Sequence, residues 1–320
     1  MNDLQRYLVD EFVEEYQEKR MTRRDTLKMI ASITGSLLVA EGVLAACAPV
    51  PTAMPTAMAE PTLMGAPTEV PTDEPTATSA PLESTATVSP TDPEIEAGEV
   101  TFPSGADTIT GYLAHPKKDG TFPVVLVCHE NRGLTPHIQD VTRRLAKAGY
   151  VGLAVDLLSR QGGSATVGEA NVPGALGQID PVQFVDDFKN GWAYLKTLSY
   201  ADAARVGMVG FCFGGGITWR VAAGMPELKA GVPFYGPPVP ESDVPKIQAA
   251  ILAVYGGLDQ RITSTAAAIE AAMKANNKIY EKVIYPNADH AFHNDTSSRY
   301  NAEAATDAWK RTLEWFGKYL

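Results

Sequence analysis

The chain has 320 residues, 45% of them hydrophobic and 20% charged, with a formal net charge of −11. That is enough for one large or two small globular domains with a sizeable core, and the composition is neither fibrous nor wholly disordered. The charge is uneven: residues 48–99 hold nine acidic side chains and no Lys or Arg, whereas residues 100–320 hold 21 of each sign, so no basic footprint for nucleic acid exists. Three cysteines, Cys47, Cys128 and Cys212, exclude a disulfide framework.

From the N-terminus, "NDLQRYLVDEFVEEYQEKR" (residues 2–20) sets Leu4, Tyr7, Leu8, Phe12 and Tyr16 at helical spacing. An amphipathic helix is expected, by default solvated or read by a chaperone. "MTRRDTLKMIASITGSLLVAEGVLAAC" reads as an export signal: Arg23, Arg24 and Lys28 form a charged opening, and an apolar run from Met29 to Ala46 ends in small residues. It resembles a twin-arginine signal in T-R-R-x-x-L-K, with Thr26 at the usual aromatic or leucine place. "LAAC" (Leu44 to Cys47) resembles a bacterial lipobox, which implies cleavage before Cys47 and lipidation of its thiol. The competing reading is an uncleaved membrane anchor, but the run is short for a span and carries Glu41.

Residues 47–96 follow as a Pro/Thr-rich acidic linker, too poor in apolar residues to offset chain entropy, and suited to spacing a domain from a membrane. The expected organisation is an export signal over 1–46, a linker over 47–96 and one domain over 97–320. The expected location is the cell envelope, with the membrane as partner through a lipid on Cys47.

From about residue 97 the pattern changes. "VTFPSGADTITGYLAHP" predicts two strands about a Gly-containing turn. Buried strands are predicted at "FPVVLVCHE", "VGLAVDL", "ARVGMVGF", "AGVPFYG", "AAILAVYGG" and "IYEKVIYP". Helices are predicted at "HIQDVTRRLAKAGY", "DPVQFVDDFKNGWAYLKTLSY", from residue 213, at "TSTAAAIEAAMKANN" and at "AEAATDAWKRTLEWFGKYL". Apolar strands alternating with helices imply an α/β fold, a mostly parallel sheet with helices on both faces. Ligands bind such sheets at the carboxyl ends of the strands.

Those ends carry "CHENRG", "DLLSRQGG", "GFCFGGG", "GGLD" and "PNADHAFHN". In "GFCFGGG", Gly210 and Gly214 flank Cys212 between a strand and a helix. A tight turn there crowds its neighbours, so glycine is required on both sides, and the thiol meets a helix N-terminus. The bland reading is an inert buried cysteine in a glycine-rich packing motif. Asp259 and His290 follow two later strands, so the chain order is nucleophile, acid, histidine. His293 competes with His290; His115 and His137 read as structural or exposed. Cys128 reads as a buried small hydrophobe, with a disulfide to Cys212 as the alternative.

Together "CHENRGL", "DLLSRQGG", "GFCFGGG", "GGLD" and "DHAFHNDTSSRYN" resemble the dienelactone hydrolase (carboxymethylenebutenolidase-like) family of α/β-hydrolases over residues 97–320. The resemblance implies Cys212 as nucleophile, His290 as general base then acid, and Asp259 as its orienting carboxylate. It implies that Glu130 contacts the resting thiol and keeps it protonated, the alternative being a structural hydrogen bond at a strand end. The backbone N–H groups of Asn131 and Phe213 are the implied oxyanion hole, and Arg160 the implied partner of a substrate carboxylate. A second arginine is expected just after the histidine, where this chain has Asn294; Arg299 lies slightly further on. The implied activity is cleavage of a small ester or lactone through a thioester acyl-enzyme. A non-catalytic envelope binding protein on the same fold is the alternative, and a thiol redox protein lacks its C-x-x-C. No stretch has metal-ligand spacing and no P-loop is present, so no metal or cofactor is assigned.

Overall fold

A computed structural model of the chain describes residues 1–46 and 87–320. Cys47 and the linker as far as residue 86 lie outside the described residues. The described N-terminal segment comprises α1 (Asp3–Gln17), α2 (Arg23–Thr34) and α3 (Leu37–Ala46). The remainder builds eight strands: β1 (Ile95–Ser104), β2 (Asp107–Pro116), β3 (Phe122–Cys128), β4 (Val151–Val155), β5 (Ala201–Phe211), β6 (Ala230–Phe234), β7 (Ala250–Gly256) and β8 (Tyr280–Tyr285). Between and after them lie α4 (Pro136–Lys147), α5 (Ser164–Val167), α6 (Val172–Gly177), α7 (Pro181–Leu195), α8 (Phe213–Gly224), α9 (Gln260–Thr263), α10 (Ala266–Ala275) and α11 (Ala302–Tyr319).

The strands form one sheet in the order β1-β2-β4-β3-β5-β6-β7-β8. The β1–β2 hairpin and the β2–β4 pair are antiparallel, and every other pair is parallel. Residues 124–128 of β3 are all fully buried, as are residues 151–155 of β4. An unbroken buried run needs cover on both faces of the sheet, and each buried Val or Leu contributes roughly 1.5–3 kcal/mol. Helix α4 packs on β2 and β4, α8 on β5 and β6, and α11 on β6 and β7.

The predicted strands and long helices all form. The 3₁₀ turn Ser159–Gln161 and the short helices α5 and α6 fill a stretch in which the sequence predicts no regular element. Val88, inside the stretch read as linker, already bonds to the domain: Val88 N donates to Asp140 Oδ1 at 2.7 Å, and Arg143 Nε donates to Val88 O at 2.5 Å.

The N-terminal segment departs from expectation. Helix α1 starts with a capping box in which the Asn2 side chain accepts from Gln5 N while the Gln5 side chain accepts from Asn2 N. It is not a solvated helix. Leu4, Tyr7, Leu8, Val9, Phe12 and Val13 are buried, and α1 packs on α2, α6 and α8. Its apolar stripe, wider than the spacing of five residues suggested, is docked on the rest of the fold, because leaving it in water costs more than docking it. Helix α2 exposes Arg23 and Arg24 and ends at Gly35, whose φ of 71° is left-handed. The apolar run of residues 29–46 is therefore broken into two helices. Among the described residues no helix is long and apolar enough to cross a membrane. Helix α2 lies close on α6, since a Cβ at Gly174 would come within 2.5 Å of Ser32 Oγ.

Candidate active site

Cys212 joins β5 to α8 with φ 59° and ψ −121°, a backbone that non-glycine residues rarely adopt. The fold enforces it from both sides. A Cβ on Gly210 would lie 2.1 Å from Gly214 O, and one on Gly214 would lie 2.5 Å from the carbonyl oxygens of Cys128 and His129. Only glycines permit this approach, so the elbow presents its cysteine at the N-terminus of α8, where the helix dipole favours negative charge.

His290 follows β8 and is fixed on two sides. Its Nδ1–H donates to Asp259 Oδ2 at 2.6 Å, and its backbone N–H donates to Asp289 Oδ1 at 2.7 Å. Asp259 follows β7 and caps α9 by accepting from Ile262 N at 3.2 Å. With Nδ1 engaged, Nε2 is left without a hydrogen bond in a buried position. A ring nitrogen of His290, Cys212 Sγ and a Glu11 oxygen all lie within 4.8 Å of one another. Burial pulls the His290 pKa down, yet the Asp259 carboxylate and the Cys212 side chain together raise it well above the ordinary imidazole value. Burial pushes Asp259 up, but His290 outweighs it and the carboxyl ends below its usual range. This is the arrangement of a base held by an orienting carboxylate next to a nucleophile.

The other histidines are occupied differently. His293 is buried, stacks on Phe211 and bonds through neither nitrogen; burial and its cationic surroundings hold its pKa well below normal. His137 donates to Asp295 at 2.9 Å, and His115 stacks on Tyr200. Cys128 and Cys212 are both free thiols.

Glu130 is buried after β3, and its Oε2 accepts from Asn294 Nδ2 at 2.6 Å. No hydrogen bond joins it to Cys212. The carboxylate that contacts the thiol is Glu11 of α1: Sγ lies 3.6 and 3.7 Å from its two oxygens. Tyr7 Oη, one turn earlier, lies 3.2 Å from the same sulfur. Burial, and then the Cys212 and Glu11 side chains, raise the Tyr7 pKa well above normal, so the phenol stays neutral. Asn131 Nδ2 donates to Glu11 Oε1 at 2.9 Å. Among the described turn and cap contacts, neither Asn131 N–H nor Phe213 N–H is engaged by a backbone carbonyl, which leaves both able to serve an oxyanion.

Two arginines near Cys212, Asp259 and His290 are both tied to α1. Arg261 Nε donates to Glu14 Oε2 at 3.1 Å, and its guanidinium sits 4.7 Å from the Tyr7 ring centre. Arg299 Nη1 meets Glu15 Oε1 at 2.9 Å. Sequence reasoning missed Tyr7, Glu11, Asn294 and Arg261; the amphipathic spacing of residues 4–16 was the one signal for the first two.

Arg160 is placed elsewhere. It grips Asp187 through Nη1 and Nη2 at 2.8 and 2.9 Å and reaches Asp107 through Nε at 2.5 Å. The open depression it lines contains none of Cys212, Asp259 or His290.

The model of the dienelactone hydrolase family matches residues 109–320. A protein of Methylorubrum extorquens named "Putative carboxymethylenebutenolidase" is 39% identical over 252 residues, 75% of this chain and 87% of that one. A protein of the same name in Escherichia coli is 37% identical over 259 residues, 75% and 93% of the two chains. Among solved structures, a "Putative Dienelactone Hydrolase" from Klebsiella pneumoniae superposes with a TM-score of 0.66 at 35% identity, covering 70% of this chain and 99% of its own. Together with the eight-stranded sheet and its elbow, these matches make the chain a hydrolase of the α/β-hydrolase fold, and a member of the dienelactone hydrolase family.

Proposed function

We propose that the chain hydrolyses an ester or lactone with Cys212, His290 and Asp259 as its triad. The observation that carries this is the 2.6 Å bond from His290 to Asp259, which leaves Nε2 unengaged beside the thiol. Nε2 accepts the Cys212 proton as the sulfur attacks the carbonyl carbon. The oxyanion of the tetrahedral intermediate is received by the N–H groups of Phe213 and Asn131. Collapse breaks the C–O bond, and the leaving alkoxide takes the proton from Nε2–H, leaving a thioester. Water then gives a proton to Nε2 and attacks the thioester; collapse expels the sulfur, which recovers that proton, and frees the carboxylic acid.

Replacing Cys212 with Ala is expected to abolish turnover of p-nitrophenyl acetate. Acid quenching of the parent chain is expected to trap an acetyl group on Cys212. Turnover that survives in the variant would sink the reading.

We also propose export of the chain with lipid attachment at Cys47. Exposed Arg23 and Arg24 ahead of the apolar run, and Leu44–Ala45–Ala46 before the cysteine, support it. Labelled fatty acid should enter the chain in a bacterial host and be lost in Cys47→Ala; equal labelling of the two would refute it.

A further inference from the structure

We propose that the surface over Cys212, Asp259 and His290 is a docking site for an acidic amphipathic helix, that its occupant is α1, and that α1 seated there holds Cys212 at a low basal reactivity. This rests on the reading of Cys212 as nucleophile. It adds that the chain, until it is cleaved ahead of Cys47, carries its own competitor for the site.

The geometry supports it first. A substrate carbonyl must come to about 3–3.5 Å from the attacking sulfur. That space is filled: Tyr7 Oη is 3.2 Å from Sγ and the Glu11 oxygens 3.6 and 3.7 Å. Cys212 is 2% exposed, and Asp259 and His290 1% each. The Glu11 carboxylate is a planar carbon with two oxygens against the nucleophile, one of them also taking the Asn131 amide. It has the shape of the acid that hydrolysis would release.

Charge complementarity is the second support. Helix α9 after β7 and the loop after β8 present Arg261 and Arg299 at the rim, and α1 meets them with Glu14 and Glu15. Arg261 keeps Nη1 and Nη2 buried without an acceptor. Among the described residues its side-chain hydrogen bond goes to Glu14 of α1, so the rim holds donor capacity for an anionic partner beyond what the domain supplies. Apolar fit is the third. Tyr7, Leu8 and Phe12 lie on the stripe of α1 that faces the domain, and Gln5 Nε2 anchors the first turn to Gly177 O at 2.8 Å. Helix α1 reaches the domain covalently only through residues 47–86, so one cut there makes the docked piece separable.

The test uses the full chain with a protease site inserted between residues 47 and 86. Iodoacetamide labelling of Cys212, read by peptide mass, and p-nitrophenyl acetate hydrolysis are followed before and after cutting and dilution. Gel filtration reports whether residues 1–46 have left. Labelling of Cys212 is expected to accelerate at least tenfold once the fragment separates, and hydrolysis to rise with it. A synthetic peptide of residues 2–20 is expected to reverse both in proportion to its concentration. The double variant Glu14→Lys with Glu15→Lys, which reverses both rim ion pairs and leaves the triad intact, is expected to label faster even uncut. Faster labelling without hydrolysis supports the restraint by α1 and sinks the esterase reading. Unchanged labelling after the fragment has left, or uncut activity that is lost on release, overturns that restraint whether or not the chain is an esterase.

Discussion

Asn294 Nδ2 donates to Glu130 Oε2 at 2.6 Å, tying the loop after β8 to the loop after β3. Asn294 stands where the family resemblance leads one to expect an arginine. Here it is an amide holding a buried carboxylate, whose other oxygen has no partner. Asn294→Ala leaves Glu130 unpaired and is expected to lower stability by about 1–3 kcal/mol, the usual cost of an unsatisfied buried group. Urea unfolding of the two proteins checks this; an unchanged midpoint would show that the bond contributes nothing.

Asp259→Asn tests the orienting carboxylate. Loss of its charge is expected to lower kcat by about a thousandfold or more, since the wrong imidazole tautomer becomes available. It should also move the acid limb of the kcat/KM profile to lower pH, because Asp259 is the leading influence raising the His290 pKa. The stability effect has its own sign. The raised His290 pKa stabilises the fold fully below the ordinary value of 6.5 and loses that contribution as pH rises through the folded value. The lowered Asp259 pKa stabilises above 3.8 and is lost as pH falls through the folded value. The stability gap between variant and parent should therefore be widest between those two pH values and narrow on the alkaline side, as thermal melts across pH would read.

Arg160→Ala distinguishes an anchor from a substrate clamp. Asp187 is 1% exposed and receives two guanidinium bonds from Arg160. Removing the partner of a buried charge costs about 3 kcal/mol or more. The variant is expected to lose stability on that scale, while the ratio of kcat/KM for a carboxylate-bearing and a neutral ester stays the same. A selective loss on the carboxylate-bearing ester would restore the substrate-clamp role.

The strands were legible because buried parallel strands are short unbroken apolar runs with glycines and polar residues at their ends. The clustering of Cys212, Asp259 and His290 was legible for a related reason: each sits just beyond a strand, and Gly210 and Gly214 mark the elbow around Cys212. Sheet order was not legible, since nothing in the β3 or β4 sequence says that β4 is inserted between β2 and β3. The partner of Arg160 was hidden because a guanidinium pairs with a substrate carboxylate and with Asp187 by the same chemistry. The docking of α1 was hidden more deeply. Leu4, Tyr7, Leu8 and Phe12 announce an apolar face, but periodicity does not name what covers it, and about two hundred residues separate Tyr7 from Cys212.

The backbone at Cys212 is held in a conformation that disfavours a side chain. A φ of 59° with ψ −121° suits glycine and strains any residue with a Cβ, at a cost of order 1–3 kcal/mol. Cys212→Gly is therefore expected to raise the unfolding midpoint while removing the reactive sulfur; a lower midpoint would mean the elbow is unstrained. Stability and chemistry pull this one position in opposite directions. Selection for folding alone would drift the elbow toward a robust, inert loop; on the proposed mechanism, demand for the reaction keeps a side chain there.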